Sequence, residues 1–323
     1  MIVLPLGMPE ADLPNPPGRD GSGWDCALVN NMPDSAFEAT ERQFAELLGA
    51  GSGRRPLRVR LFSLPGAPRS DAISEQIATR YSPLADLEHH VPDVLVVTGA
   101  NPVESRIQDE PFWDDLAGLL SWASDHVSTM LLSCLSAHAA LTVFDSIERL
   151  PLATKCTGVF SQTSDPASSL ATDLGRTVRL PHSRWNDVPV TAMRSAGYDL
   201  PICSEEVGWS VATRKVNRSW VVLMQAHLEY GATNLLREYE RDARRYVLGE
   251  RDAFPVLPQR CVARHDWGEL ARLHQRILDG ERDPALIESF PFRAIGNRAR
   301  RTWRKTATQI YANWLASVPT RGH

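Results

Sequence analysis

Three side chains could together carry out nucleophilic catalysis: the thiol of Cys134 and, far along the chain, the imidazole of His227 and the carboxylate of Glu229. A thiol nucleophile needs a base to take its proton, and the base needs a partner that orients it. Before Cys134 lies an apolar stretch, 127–132, and after it Ser136-Ala137-His138-Ala139-Ala140-Leu141, a run that favours helix. A buried strand that turns abruptly into a helix exposes the turn residue at the strand's carboxyl end, the logic of a nucleophile elbow. The positive end of the helix dipole there favours thiolate. Small neighbours, Ser133 and Ser136, let such a turn stay tight. Taken alone, the segment equally fits a buried structural cysteine, and a histidine closing a strand is by itself more often a hydrogen-bonded structural residue. His138 competes as the base, but its place inside the helix after the elbow directs it away from the thiol.

The elements that must position these residues follow from periodicity. Residues 24–30 read as a buried strand ending in the turn-rich Asn31-Met32-Pro33-Asp34-Ser35. Phe37, Phe44, Leu47 and Leu48 recur at helical spacing over 36–48, with Gly49 as a stop and 51–56 as a loop. Residues 57–62 alternate apolar with arginine, a strand with one wet side, and 64–92 read as loop with a short helix. Val94-Leu95-Val96-Val97-Thr98 is a clear strand ended by Gly99-Ala100-Asn101-Pro102, and Trp113, Leu116, Leu119, Leu120 and Trp122 mark an amphipathic helix. This strand–helix alternation predicts an α/β fold, a mostly parallel sheet with helices on both faces. Ligands bind such sheets beyond the carboxyl ends of the strands, where Asn30-Asn31, Thr98-Gly99-Ala100 and Cys134 converge. Past residue 150 the segments shorten. A strong strand at 219–224 runs into His227, and a charged amphipathic helix spans 233–248. Residues 249–265 read as loop, and the Tyr311-Ala312-Asn313-Trp314-Leu315 region as a last helix. Residues 1–23, rich in Pro and Gly, read as an irregular arm before a single domain over 24–323.

Composition narrows the function classes. The 323 residues carry a net charge of −4, so no global basic field draws nucleic acid or an anionic membrane. Apolar runs fall short of a membrane span, and the N-terminus lacks the basic region and long apolar core of a signal peptide. Cys26, Cys134, Cys156, Cys203 and Cys261 are odd in number and contain no Cys-x-x-Cys pair, which argues against a disulfide framework and a structural zinc, and for a reducing, cytoplasmic setting. No Gly-x-Gly-x-x-Gly or Walker motif supports a nucleotide cofactor, and no metal or other cofactor is expected. Lys155, Ser183, Arg184 and Arg241 are the remaining polar candidates. Each fits an exposed charge or turn former, or a grip on an amino acid substrate, since arginine binds carboxylates bidentately.

The chain resembles the homoserine O-acyltransferases, the family of homoserine O-succinyltransferase. The resemblance runs over about residues 24–316 and is carried by Asn30-Asn31-Met32-Pro33, Glu41-Arg42-Gln43-Phe44, Val97-Thr98-Gly99-Ala100, Ser133-Cys134, Lys155-Cys156-Thr157-Gly158-Val159-Phe160, Pro181-His182-Ser183-Arg184, His227-Leu228-Glu229-Tyr230, Arg237-Glu238-Tyr239-Glu240-Arg241-Asp242 and Asn313-Trp314-Leu315. It implies a class I glutamine-amidotransferase-like (flavodoxin-like) fold, a homodimer, and ping-pong acyl transfer in methionine biosynthesis. Cys134 would attack an acyl-CoA thioester, with His227 as base and then acid and Glu229 orienting it. The acyl group would pass to the hydroxyl of L-homoserine. Lys155, Ser183 and Arg241 match substrate-contacting positions, and backbone N–H around Leu135 would form the oxyanion hole. Three departures stand out. Asp34-Ser35 replaces the family's lysine after Met-Pro, the elbow reads Cys-Leu-Ser-Ala rather than Cys-Trp-Gly-Ala, and Leu228 replaces a proline. In the family the donor tracks one residue after the Thr-Gly-Ala turn. Ungapped from Gly99 to Cys134 that residue is Val103, which implies succinyl-CoA. With Asn101 as an insertion it is Glu104, which implies acetyl-CoA. The ungapped register preserves the spacing to Trp113 and Cys134 and is preferred.

Overall fold

A computed structural model of the chain describes residues 2–3 and 23–319. Its frame is one mixed sheet. In chain order the strands are β1 (Ile2–Val3), β2 (Trp24–Val29), β3 (Leu57–Phe62), β4 (Val94–Val97), β5 (Thr129–Ser133), β6 (Leu150–Ser164), β7 (Thr177–Asp187), β8 (Asp199–Ser204), β9 (Gly208–Val216) and β10 (Ser219–Met224). They lie side by side in the order β1-β3-β2-β4-β5-β10-β9-β8-β6-β7. The pairings from β1 to β10 are parallel, and those from β10 through β9, β8 and β6 to β7 are antiparallel. The helices are α1 (Phe37–Ser52), α2 (Asp71–Arg80), α3 (Asp86–His89), α4 (Trp113–His126), α5 (Leu135–Asp145), α6 (Val190–Ser195), α7 (Asn234–Val247), α8 (Arg264–Leu278), α9 (Pro284–Ser289), α10 (Phe292–Arg298) and α11 (Arg304–Ala316).

The parallel half is buried on both faces, which is why β4 is an unbroken Val-Leu-Val-Val run. Its side chains alternate between two cores. Cys26, Leu28, Val94, Val96, Leu131 and Val222 face the layer built by α1 and α11. Ala27, Val29, Leu95, Val97, Met130 and Leu132 face α4 and α5. Leu236, Tyr239, Ala243 and Val247 of α7 form a third core with α8, α9 and α10.

Several local expectations need correction. Gly49 does not stop α1, which runs to Ser52. A Cβ on Gly51 would meet Tyr311 Cβ at 2.7 Å, so glycine is there to let α11 approach, and the helix pays the propensity cost. The polar segment 64–92 holds two helices, α2 and α3, rather than one. Ile2–Val3 extend the sheet beside β3 and are not irregular; the remainder of the N-terminal arm up to residue 22, and residues 320–323, lie outside the described residues. Helices α8, α9 and α10 have no counterpart in the sequence reading. No helix among the described residues is long and apolar enough to cross a membrane.

Candidate active site

The parallel pairing of β5 and β10 brings the candidate nucleophile and base together. Ser133 is registered opposite Met224, and Cys134 N donates to Met224 O at 2.7 Å, the last rung before both chains leave the sheet. Cys134 then takes φ 52° and ψ −109° and caps α5, which begins at Leu135. A non-glycine residue in that region is strained, and such residues cluster where structure over-determines them. Ser136 fixes the turn by donating to Val97 O (2.9 Å) and Ser133 O (3.0 Å). Gly99 leaves the space before the thiol open. A Cβ there would stand 3.3 Å from Cys134 Cβ and 3.7 Å from Leu135 N. The first N–H of α5 therefore borders an uncrowded strip beside the thiol.

Beyond β10 the chain crosses to β7, where His227 N donates to Pro181 O at 2.9 Å. The His227 ring is buried, and its Nδ1 lies 2.8 Å from Glu229 Oε1. Burial alone would lower the imidazole pKa. The Glu229 carboxylate and then the Cys134 thiol outweigh it and hold His227 well above its ordinary value. Its Nε2 is buried without a hydrogen bond of normal geometry among the described residues, the expected state of a contact that tightens only with substrate. Tyr230 stacks on the ring, centroids 4.3 Å apart and planes 23° apart. The turn is held from the C-terminal side: Arg301 donates to Leu228 O (2.9 Å) and Glu229 O (3.3 Å), and Trp303 Nε1 to Tyr230 O (3.0 Å).

The other candidate polar residues form a second cluster around Glu238, which sequence reading passed over. Lys155 Nζ donates to Glu238 Oε2 (3.0 Å) and to Asp242 Oδ2 (3.1 Å). Ser183 also donates to Glu238 Oε2, and Tyr230 to Glu238 Oε1. Burial would raise the Glu238 carboxyl, but the Lys155 ammonium and the Ser183 and Tyr230 hydroxyls hold it below the usual range. Tyr230 thus links the His227 ring to this cluster. Glu238 and Asp242 share one face of α7 by i,i+4 spacing. Arg241 sits at that face's edge, half exposed, and donates to Asp242 Oδ1 at 3.1 Å. The signal for Glu238 was its position one helical turn before Arg241.

Two histidines are removed from acid–base roles by their surroundings. His138 Nε2 lies 2.7 Å from Gln225 Oε1, and burial lowers its pKa to about 4. His182 accepts at Nδ1 from Arg184 (2.8 Å), so its Nε2 carries the proton toward Ser210 Oγ at 3.0 Å. Burial, then the Arg184 charge, keeps its pKa well below normal. Arg184 also donates to Asp187 and Val207 O, so it braces β7 rather than facing a ligand. Where the family's lysine is absent, Asp34 pairs with Arg69 at 3.7 Å and accepts from Ser70 N at 2.8 Å. Val103 and Glu104 both project from an exposed loop, Val103 at 74% exposure.

This sheet order, with a strand-to-helix turn at Cys134, is the class I glutamine-amidotransferase-like α/β fold. A solved glutamine amidotransferase from Methylobacillus flagellatus shares the fold, with TM-score 0.55 over 94% of this chain and 98% of that one, at 15% identity. A family model described as homoserine O-succinyltransferase matches residues 18–321. The chain belongs to the homoserine O-succinyltransferase family. It is 38% identical to homoserine O-succinyltransferase of Rhodopseudomonas palustris, over 91% of this chain and 88% of that protein. It is 37% identical to the proteins of that name from Methylorubrum extorquens, over 99% and 96%, and Bradyrhizobium japonicum, over 92% and 90%.

Proposed function

We propose that this chain transfers an acyl group from acyl-CoA to the hydroxyl of L-homoserine through a Cys134 thioester, in methionine biosynthesis. The observation that carries this is the elbow: Cys134 at positive φ beside a buried His227 that is bonded to Glu229 and unpaired at Nε2. In the first half-reaction the Cys134 sulfur bonds the thioester carbon, and the tetrahedral oxyanion is met by backbone N–H at the start of α5, around Leu135. The C–S bond to CoA breaks, and the CoA sulfur leaves with the proton held on His227. In the second, His227 takes the homoserine hydroxyl proton, the oxygen attacks the acyl-enzyme, and Cys134 leaves as thiolate. Glu229 keeps the imidazole oriented and stabilises its protonated form. No cofactor enters this scheme; acyl-CoA is a co-substrate.

Lys155, Ser183 and Arg241 are assigned to homoserine. Arg241 suits the substrate carboxylate, because its half-exposed guanidinium has donors beyond those given to Asp242. Succinyl-CoA is the donor favoured here, the register that puts Val103 at the specificity position. The functional unit is a homodimer in the cytoplasm, a setting that suits the five free cysteines. The test is intact mass after mixing with succinyl-CoA alone. A succinyl adduct mapped to Cys134 and discharged by homoserine is expected. Hydrolysis of the donor without a Cys134 adduct would overturn the reading.

A further inference from the structure

Tyr230 is held at four points. Its N donates to His227 O at 3.2 Å, closing the turn after β10, and its carbonyl accepts from Trp303 Nε1 at 3.0 Å. Its ring lies on the His227 imidazole, centroids 4.3 Å apart and planes 23° apart. Its hydroxyl donates to Glu238 Oε1. Burial, then the Glu238 and Glu229 carboxylates, push the phenol well above its ordinary pKa, so it keeps the proton that makes this bond. The stack uses only the face of the imidazole. Nδ1 goes to Glu229 at 2.8 Å, and Nε2 is left for the reacting atoms. The electron-rich face of the phenol also suits an imidazolium. On the other side, Glu238 Oε2 takes Lys155 Nζ at 3.0 Å and the Ser183 hydroxyl, two residues assigned above to homoserine.

We propose that Tyr230 is a positioning residue that sets the register between base and acceptor: its ring fixes the plane of His227, and its hydroxyl fixes that plane relative to the Glu238 cluster. The proposal rests on the acyl-transfer reading above and deepens it. The two half-reactions make different demands on His227. In the first, Nε2 serves a sulfur whose place is set by the pairing of β5 with β10. In the second, the same nitrogen must meet the hydroxyl of a molecule held from β6, β7 and α7. A misplacement of about 1 Å costs on the order of 100-fold in rate. Only the second step therefore depends on a bridge between the two clusters, and the Tyr230 side chain spans them.

The test uses Tyr230→Phe, which keeps the ring and removes the hydroxyl, and Tyr230→Leu, which removes both. Rapid mixing measures acyl-enzyme formation from succinyl-CoA, its discharge by homoserine and its discharge by water. Tyr230→Phe should form the acyl-enzyme, and lose it to water, at wild-type rates. Its maximal rate of discharge by homoserine should fall about 10–100-fold, the worth of one hydrogen bond to a charged acceptor, with little change in the KM for homoserine. Tyr230→Leu should slow formation as well. The double variant Tyr230→Phe/Glu238→Gln should discharge no more slowly than the slower single variant, because both changes break one bond. Equal loss in both half-reactions for Tyr230→Phe, a loss confined to the KM for homoserine, or effects that multiply in the double variant would each overturn the proposal. If wild-type Cys134 takes no acyl group from succinyl-CoA, the acyl-transfer reading fails first and this assignment falls with it.

Discussion

Replacing Cys134 by glycine should remove the activity and stabilise the fold relative to replacing it by alanine. The backbone at Cys134, φ 52° and ψ −109°, is a conformation glycine adopts freely and alanine does not. Strain of this kind costs about 1–3 kcal/mol for a residue with a Cβ. Glycine's greater freedom in the unfolded chain returns about 0.4–1 kcal/mol of that. Both variants lose the same thiol, so their difference isolates the turn. Cys134→Gly should therefore be more stable than Cys134→Ala by about 0.5–2 kcal/mol. Unfolding entropy of roughly 2.1 cal/mol/K per residue makes this about 1–3 °C in Tm for a chain of 323 residues. Scanning calorimetry, with urea midpoints as an independent measure, reads the difference, and mass spectrometry should find no acyl adduct in either variant. Equal stability, or a more stable alanine variant, would refute the claim that the nucleophile turn stores strain.

Two further outcomes follow from the site. His227 has its folded pKa raised above the ordinary 6.5, so the stability it draws from Glu229 is fully present below that value and fades as pH rises through the folded pKa. The stability gap between wild type and Glu229→Gln should thus be widest on the acid side of 6.5, above the carboxylate range, and narrow toward alkaline pH; a gap that widens with pH would contradict the assignment. Arg241→Ala should slow discharge of the acyl-enzyme by homoserine, a loss of about 1.5–3 kcal/mol in transition-state binding, and spare its formation. Stopped-flow measurement of the two half-reactions separates them, and equal loss in both would make Arg241 a structural residue.

The sequence made some of this legible because local physics dominated there. The Val-Leu-Val-Val run of β4 suits a strand buried on both faces, and the small residues around Cys134 allow a tight turn. The join of Cys134 to His227 required β10 to pair with β5 across an intervening antiparallel excursion, β6 to β9, and no periodicity reports which strands become neighbours. Helix α1 passed through Gly49 because tertiary packing on Tyr311 overrode a local stop signal. Glu238 was invisible for a related reason. A charged residue on an amphipathic helix reads as solvated face, and only Lys155, Ser183 and Tyr230, from β6, β7 and the turn after β10, make it a partly buried hub.

The grip of Trp303 on the Tyr230 carbonyl also sets a clock on the enzyme's birth. All ten strands and both ends of the Cys134–His227 pair leave the ribosome before Trp303, which follows Tyr230 by 73 positions. At about 5–20 residues per second, that interval lasts roughly 4–15 s. During it the turn bearing His227 and Glu229 lacks the donors that fix its carbonyls. The turn is fully tied down only once the C-terminal segment has been made.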